Sequence, residues 1–459
     1  MIARARWAAF EALRAVTERR LDLAAALAHS RHGLQDERDR ALMSEIVTGA
    51  LRWRAALDHL IAHHAHRPLE SLDPVVLDAL RLGAYQLLHL ERVPPRAAVD
   101  DAVEITKRAG KRSAAGLVNA ILRAIARDGS RAPLPPPPDP SRADWRDAAL
   151  DYLSVTLSHP RWLASRWLDR HGPDAAAAWA RFNNTPAPLT LRVNTLRTTA
   201  SALMAELRAA GVEAEPARYA PDGLIVRHGN PLLTPLAGTG LFVVQDEASQ
   251  LVALFAGARP GDRVLDACAS PGNKTLALAG DMRGKGLLVA VDVRERRIGL
   301  LRRTLASATL RSAHIVRADL SRPAPFRPCF DLVLLDAPCS GLGTIRRDPD
   351  IRWRRDEGEL PHFASVQVRM LERAAAVVRP GGRLVYATCS SEPEENDEVV
   401  ARFLEPHSDF RLVDPRADLS QLRVGVAAVL DATGCLRTLP WAHGLEGFFA
   451  AMLVKSKHL

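Results

Sequence analysis

Arg263-Val264-Leu265-Asp266-Ala267-Cys268-Ala269-Ser270-Pro271-Gly272-Asn273-Lys274-Thr275 reads as a short apolar strand that runs into a tight loop and then into a helix from Leu276. Such a loop lets a ligand approach backbone amides at a helix N-terminus. It is not a phosphate-binding P-loop, which needs glycines where Cys268 and Asn273 stand, nor a dinucleotide fingerprint, because only Gly272 of three spaced glycines is present. Beyond Gly261 the order strand, loop, helix repeats several times, which predicts a mostly parallel, doubly wound α/β sheet.

The strands that follow end in acids. Gly286 to Val291 leads to Asp292, twenty residues after Gly272, where a carboxylate can accept both hydroxyls of a ribose. Ile315 and Val316 lead to Asp319, placed to receive an adenine amino group, and Leu332 to Leu335 leads to Asp336. A lone acid after a strand is usually a helix cap or a surface turn. Four successive strands closed by an acid or a tight loop predict S-adenosylmethionine instead, held by Cys268, Ala269, Ser270, Pro271, Gly272, Asn273, Lys274, Asp292, Asp319 and Asp336. Cys268 is read as a backbone position, and Lys274 as a contact to the cofactor or to a base edge.

Upstream, residues 1–129 carry apolar side chains at helical spacing, Leu80, Leu82, Ala84, Leu87 and Leu88 among them, which predicts an all-α bundle. Residues 130–145 hold Pro133, Pro135, Pro136, Pro137, Pro138 and Pro140 and read as an extended, semi-rigid linker. Residues 146–240 mix helical segments with short strands, Leu189–Val193 and Gly223–Val226, as a small α+β subdomain. Residues 241–459 form the α/β, Rossmann-like domain.

Composition narrows the class. With 62 basic and 53 acidic residues the net charge is +9, a balance that suits a nucleic-acid partner but does not single one out. No apolar run approaches the roughly 18 residues of a membrane span, and Glu11 and Arg14 interrupt the place where a signal peptide would carry its apolar core. Five scattered cysteines argue against a disulfide framework, so a reducing cytoplasm is expected. His63, His64 and His66 have no carboxylate or cysteine nearby to complete a ligand set, and no metal is expected.

Two of the cysteines follow separate predicted strands, Cys339 in Asp336-Ala337-Pro338-Cys339 and Cys389 in Tyr386-Ala387-Thr388-Cys389, where an open α/β sheet places its site. Carbon 5 of cytosine is too weak a nucleophile to take a methyl group from a sulfonium unaided. A thiolate added to carbon 6 makes carbon 5 enamine-like, so a cysteine pair at this position points to covalent chemistry on a pyrimidine. Position alone favours the Pro-Cys pair, hence Cys339, as attacker. Cys329 and Cys435 match no motif.

The motifs Asp266 to Thr275, Asp336-Ala337-Pro338-Cys339-Ser340-Gly341-Leu342-Gly343 and Thr388-Cys389-Ser390 resemble those of the RNA cytosine-5 methyltransferases of the Nop/Sun family. Arg346-Arg347-Asp348-Pro349-Asp350-Ile351-Arg352-Trp353, the C-terminal Glu446-Gly447-Phe448-Phe449 and an N-terminal bundle similar to the antitermination factor NusB resemble the bacterial subgroup acting on 16S ribosomal RNA. The resemblance covers nearly the whole chain and implies a class I methyltransferase domain with Cys389 as nucleophile, Cys339 as release catalyst and Asp336 on the N3 and N4 edge of the base. It departs at Asn273, where the family usually has glycine, at Asp348, often histidine, and at Glu446, usually aspartate. Asn273 is expected to tolerate a positive φ after Gly272.

Lys107, Arg108, Lys111 and Arg112 close a predicted helix and are candidate phosphate contacts. Phe182-Asn183-Asn184-Thr185-Pro186-Ala187-Pro188 and Arg192-Val193-Asn194-Thr195 match the family's insertion beside the site, which with Arg346, Arg347 and Arg352 is expected to line an RNA groove. The target base must leave its stack, so loop or single-stranded RNA is the easier substrate. A transfer RNA or DNA cytosine methyltransferase is the nearest alternative. A non-catalytic assembly or antitermination factor is the alternative of another class, and the intact cysteines and acids weigh against it.

Overall fold

In the computed structural model the described residues are 2–131, 133–418 and 423–457. The chain divides into two compact units, Met1–Pro186 with Ile345–Glu357, and Ala187–Thr344 with Gly358–Leu459. The fold class agrees with the reading of the sequence, an α-helical unit and a unit of mixed sheets. The stretch 146–240 is divided, however. Its helices Trp145–Asp151 and Arg161–Asn183 fall in the first unit and its strands in the second.

In the second unit, β1 (Thr190–Val193), β2 (Glu213–Pro216), β3 (Gly223–His228) and β4 (Phe242–Val244) form an antiparallel sheet of order β2-β3-β1-β4. The larger sheet contains β5 (Arg263–Ala267), β6 (Leu287–Asp292), β7 (Ala313–Arg317), β8 (Phe330–Asp336), β9 (Val378–Thr388), β10 (Phe410–Leu412), β11 (Leu436–Arg437) and β12 (Phe449–Lys455). Its order is β10-β12-β9-β8-β5-β6-β7, with β11 paired to β12. The strands from β7 through β9 run parallel, and β12 and β10 add antiparallel neighbours.

A parallel sheet covered on both faces needs strands that are apolar throughout. β8 shows why: Leu332 and Leu334 enter one core, Val333 and Leu335 the other, and all four are fully buried. The sheet leaves its polar chemistry to the strand ends, where Asp292 closes β6 and Asp336 closes β8.

In the first unit, Asp73 caps the helix Pro74–His89 by accepting from Val75 N at 2.8 Å, and Pro74 presets the first turn. Leu80, Leu82 and Ala84 on this helix are buried. Gly49 is required where two helices touch, because a Cβ there would lie 1.9 Å from the Tyr85 ring. The proline-rich stretch has no regular element over 133–139 and is tied down by its carbonyls, Pro133 O to His59 Nε2 at 2.9 Å and Pro135 O to Thr156 Oγ1 at 2.6 Å.

The expectation that Arg352 lines an RNA groove is corrected by its burial. Arg352 is completely buried in the first unit, where it donates to Arg52 O, Ser158 O and Asn184 Oδ1 at 2.8–3.4 Å through Nη1 and to Asn183 O at 3.4 Å through Nη2. Arg346 lies over the Phe182 ring at 4.3 Å and donates to Pro186 O at 2.7 Å and Thr185 O at 3.3 Å. Arg347 is half-buried. Arg346 and Arg352 therefore bind the stretch 182–186: the guanidinium fork matches several backbone carbonyls at once. Trp353 Nε1 donates to Leu51 O at 2.7 Å, and Asp350 accepts from Leu23 N at 3.2 Å, completing the anchorage of Ile345–Glu357.

Replacing Arg352 by alanine strands these buried acceptors and opens a cavity. We expect Arg352→Ala to lower unfolding free energy by about 2–4 kcal/mol, measured as a fall in the urea midpoint. An unchanged midpoint would contradict the anchoring role.

Candidate active site

Cys339 and Cys389 come from different strands, yet their sulfurs lie 3.3 Å apart. Parallel pairing of β8 with β9 brings Asp336 opposite Ala387, and Ala337 N reaches Ala387 O at 2.8 Å, so both chains leave the sheet at the same end. The hydrogen bond with Cys389, burial and the nearby charge of Glu395 hold the Cys339 thiol well above the usual thiol range. Either sulfur can be the donor in that contact.

Lys274 Nζ lies 2.7 Å from Asp336 Oδ2 and 5.8 Å from the centre of the Phe448 ring. Burial opposes its charge, but the charge and hydrogen bond of Asp336, together with Cys389 and Asp266, hold the ammonium above the usual lysine range. Lys274, Asp336 and Cys389 form one electrostatic group.

The loop after β5 turns through Cys268, at φ 64°, and Gly272, at φ 110°. Ala269 N donates to Val291 O at 2.8 Å, and Ser270 N donates to Asp292 Oδ2 at 3.2 Å, tying the loop to the end of β6. Pro271 is exposed after a cis Ser270-Pro271 bond. The expectation for Asn273 is corrected: it begins the helix Asn273–Asp281 rather than carrying a positive φ, and its side-chain amide donates to Val244 O at 2.9 Å. Arg192 Nη1 reaches Asn273 O at 3.3 Å from β1, so the smaller sheet braces the loop. Asp319 lies two residues past β7, with Oδ1 accepting from Ser321 N at 2.9 Å and Ser321 Oγ at 2.7 Å.

The basic cluster of the first unit is at the surface. Lys107 pairs with Glu104 at 2.6 Å, Lys111 with Asp73 at 2.5 Å, Arg108 lies 4.0 Å from the Trp7 ring centre, and Arg112 is exposed. Exposed pairs of this kind contribute about 0–1 kcal/mol, so a phosphate can displace them. No group of three His, Cys, Asp or Glu able to hold a metal occurs among the described residues, and none of their helices is long and apolar enough to cross a membrane.

Gln367 and Glu395 were missed by reading the sequence, and Gly343 stood in a motif without a role of its own. Gly343 is required by close approach: its N donates to Cys389 O at 2.9 Å, its O accepts from Gly447 N at 2.8 Å, and a Cβ would lie 1.9 Å from Gly447 O. The Glu446-Gly447-Phe448-Phe449 stretch thereby backs the Cys339 loop. Its glycine beside two aromatics was the available signal. Glu395, in Glu394-Glu395-Asn396 shortly after Cys389, had only proximity to recommend it.

The family described as 16S rRNA methyltransferase RsmB/F matches residues 253–454, the NusB family matches residues 3–127, and the RsmF/B-like ferredoxin-like domain matches residues 159–232. Ribosomal RNA small subunit methyltransferase B of Pseudomonas putida is 34% identical over 424 residues, 92% of this chain and 91% of that protein. The protein of the same name from Citrobacter koseri is 31% identical over 427 residues, 91% of each. The solved structure of PH0851 superposes with a TM-score of 0.79 at 26% identity, covering 99% of both chains. A methyltransferase homolog from Pyrococcus horikoshii gives a TM-score of 0.56 at 29% identity over 67% of this chain and 99% of its own.

The loop suits S-adenosylmethionine on its own terms. Asp266 Oδ1 is buried with no protein donor, Asp292 has carboxylate lone pairs beyond those used by Ser270 and Val293, and the helix from Asn273 has no side-chain cap. Acceptors and a helix N-terminus placed together fit a ligand bearing a ribose and a charged amino acid group. Burial pushes the Asp266 carboxyl up to about 7, against the hydrogen bond from Thr275 Oγ1 at 2.6 Å. Because the folded state binds this proton more tightly than the unfolded chain, its contribution to stability is complete below about pH 4 and is lost as pH rises through about 7. Asp266→Asn is expected to flatten the decline in urea midpoint between those pH values. A slope identical to that of the wild type would exclude Asp266 as its source.

Proposed function

The chain belongs to the RsmB/F family of 16S rRNA methyltransferases, and we propose on that premise that it methylates carbon 5 of a cytosine in 16S ribosomal RNA through a covalent adduct on Cys389. The observation that carries this reading is the pair of sulfurs 3.3 Å apart at the ends of β8 and β9, beside the Lys274–Asp336 pair. S-adenosylmethionine, when bound, supplies an electrophilic methyl group.

The Cys389 thiolate adds to carbon 6 of the flipped base, forming a C–S bond and moving the π electrons toward the N3 side of the ring. Asp336 already receives a hydrogen bond from Lys274, so the ammonium can donate to the pyrimidine edge while the carboxylate accepts from N4. Once carbon 5 carries the methyl group, a general base takes its proton, the C5–C6 double bond reforms and the electron pair of the C–S bond returns to Cys389. Cys339 holds a proton at hydrogen-bond distance from that sulfur and stabilises the departing thiolate. The family resemblance is what assigns attack to Cys389 and release to Cys339, against the order that the Pro-Cys dipeptide suggests; the contact between the sulfurs is compatible with either order. The surface cluster Lys107, Arg108, Lys111 and Arg112 provides phosphate contacts for the RNA.

Bisulfite sequencing of ribosomal and transfer RNA from a deletion strain, complemented with wild type, Cys389→Ala or Cys339→Ala, tests the proposal. A 16S cytosine should lose protection in the deletion strain and regain it only with intact Cys389, while Cys339→Ala should accumulate a denaturation-resistant protein–RNA adduct. Protection restored by Cys389→Ala would overturn the nucleophile, and protection lost at a transfer RNA position would move the substrate.

A further inference from the structure

Glu395 is completely buried and takes no part in the steps above. It sits in the short turn Pro393–Glu395, and its carboxylate collects donors from three segments. Oε1 accepts from Ser340 N at 2.8 Å and from Gln367 Nε2 at 2.9 Å. Oε2 accepts from the hydroxyls of Ser340 and Ser390, which lie 3.2 Å from each other. Gln367, on the helix Leu360–Ala375, also donates to Pro338 O at 2.9 Å, and the carbonyl of Glu395 accepts from Tyr386 OH on β9.

Ser340 directly follows Cys339, and Ser390 directly follows Cys389. One carboxylate therefore grips both cysteine loops at the residue next to each thiol, while Gln367 holds the residue before Cys339. We propose that Glu395 is the positioning residue that sets the spacing of the two thiols for the covalent reaction; the inference rests on the two-cysteine reading of the function. A carboxylate is an acceptor only, with about four lone-pair sites. Four donors directed at it leave the loops one arrangement, and buried networks of this kind hold geometry only while every member is satisfied. Glutamine in its place would present an amide N–H₂ to the two hydroxyls that now share Oε2. A misplacement of about 1 Å is enough to lower a rate by about 10²-fold.

The test uses the full-length protein as Glu395→Gln and as the Ser340→Ala/Ser390→Ala double variant, which removes the two hydroxyls and keeps the acid. Three quantities are read: methyl transfer to 16S ribosomal RNA, cross-linking of the thiols by dibromobimane with Cys389→Ala as blank, and thermal unfolding. For Glu395→Gln we expect kcat to fall by about 10², KM for RNA to stay within about twofold, and the rate of cross-linking to fall while the protein remains folded. The double variant should behave alike, and adding Glu395→Gln to it should cost no further activity, as for groups acting through one network. Should Glu395→Gln fail to fold, the double variant supplies the reading. Wild-type kcat and cross-linking in either folded variant would overturn the proposal, as would losses that only track the unfolded fraction. Cross-linking needs neither RNA nor methyl donor, so a wild-type protein that cross-links yet methylates no RNA would sink the proposed function and leave the thiol geometry to be judged separately.

Discussion

The register of β8 against β9 is the constraint on which the site depends. Asp336 pairs with Ala387, and from there three residues lead to Cys339 and two to Cys389. Because side chains alternate across a strand, a slip of one residue would send Val333 and Leu335 into the opposite core and carry the two thiols out of step. Continuous apolar residues on both faces make that slip costly. Burial in the middle of the sheet thus fixes geometry at its end.

Charge at the site follows from the same arrangement. Strand ends surrounded by protein offer little water, so every ionisable group there needs a partner or a shifted equilibrium. Lys274 finds Asp336, Cys339 keeps its proton against Cys389 and Glu395, and Asp266 is pushed toward its neutral form by burial. These are three responses to one cause. They place the Lys274–Asp336 pair and the two sulfurs at the same end of the sheet.

The sequence made some of this legible and hid the rest for physical reasons. Strand ends could be read because apolar runs stop abruptly at Asp292 and Asp336, and the loop at Cys268 to Gly272 because its chemistry is local. Glu395 could not, since its meaning lies in Gln367 and Ser340, 28 and 55 residues away. Arg352 misled in the opposite direction: a cluster of arginines looks solvent-facing, but all except one of its acceptors are backbone carbonyls, which carry no mark in the sequence. Asn273 misled because the residue type suggested a backbone role, whereas its amide is used as a hydrogen-bond donor to Val244 O. Local chemistry was visible, and partnership at long range was not.

The path of the chain explains why Arg352 is placed as it is. Five residues after Cys339 the chain leaves the second unit at Thr344, contributes Ile345–Glu357 to the first, and returns at Gly358. The first unit is therefore not completed by residues 1–186: the carbonyls of Ser158 and Asn183 and the Asn184 amide oxygen receive their guanidinium from beyond Cys339 in sequence. Buried acceptors without donors cost about 1–3 kcal/mol each, so a chain ending at 186 would carry a penalty that Arg352 removes. The loop that carries Cys339 leaves β8 and is followed at once by this segment, which Arg352, Trp353 and Asp350 hold within the first unit. Within the second unit the two loops that carry the sulfurs are tied by the register of β8 against β9 and by the hydrogen bonds of Ser340 and Ser390 with Glu395.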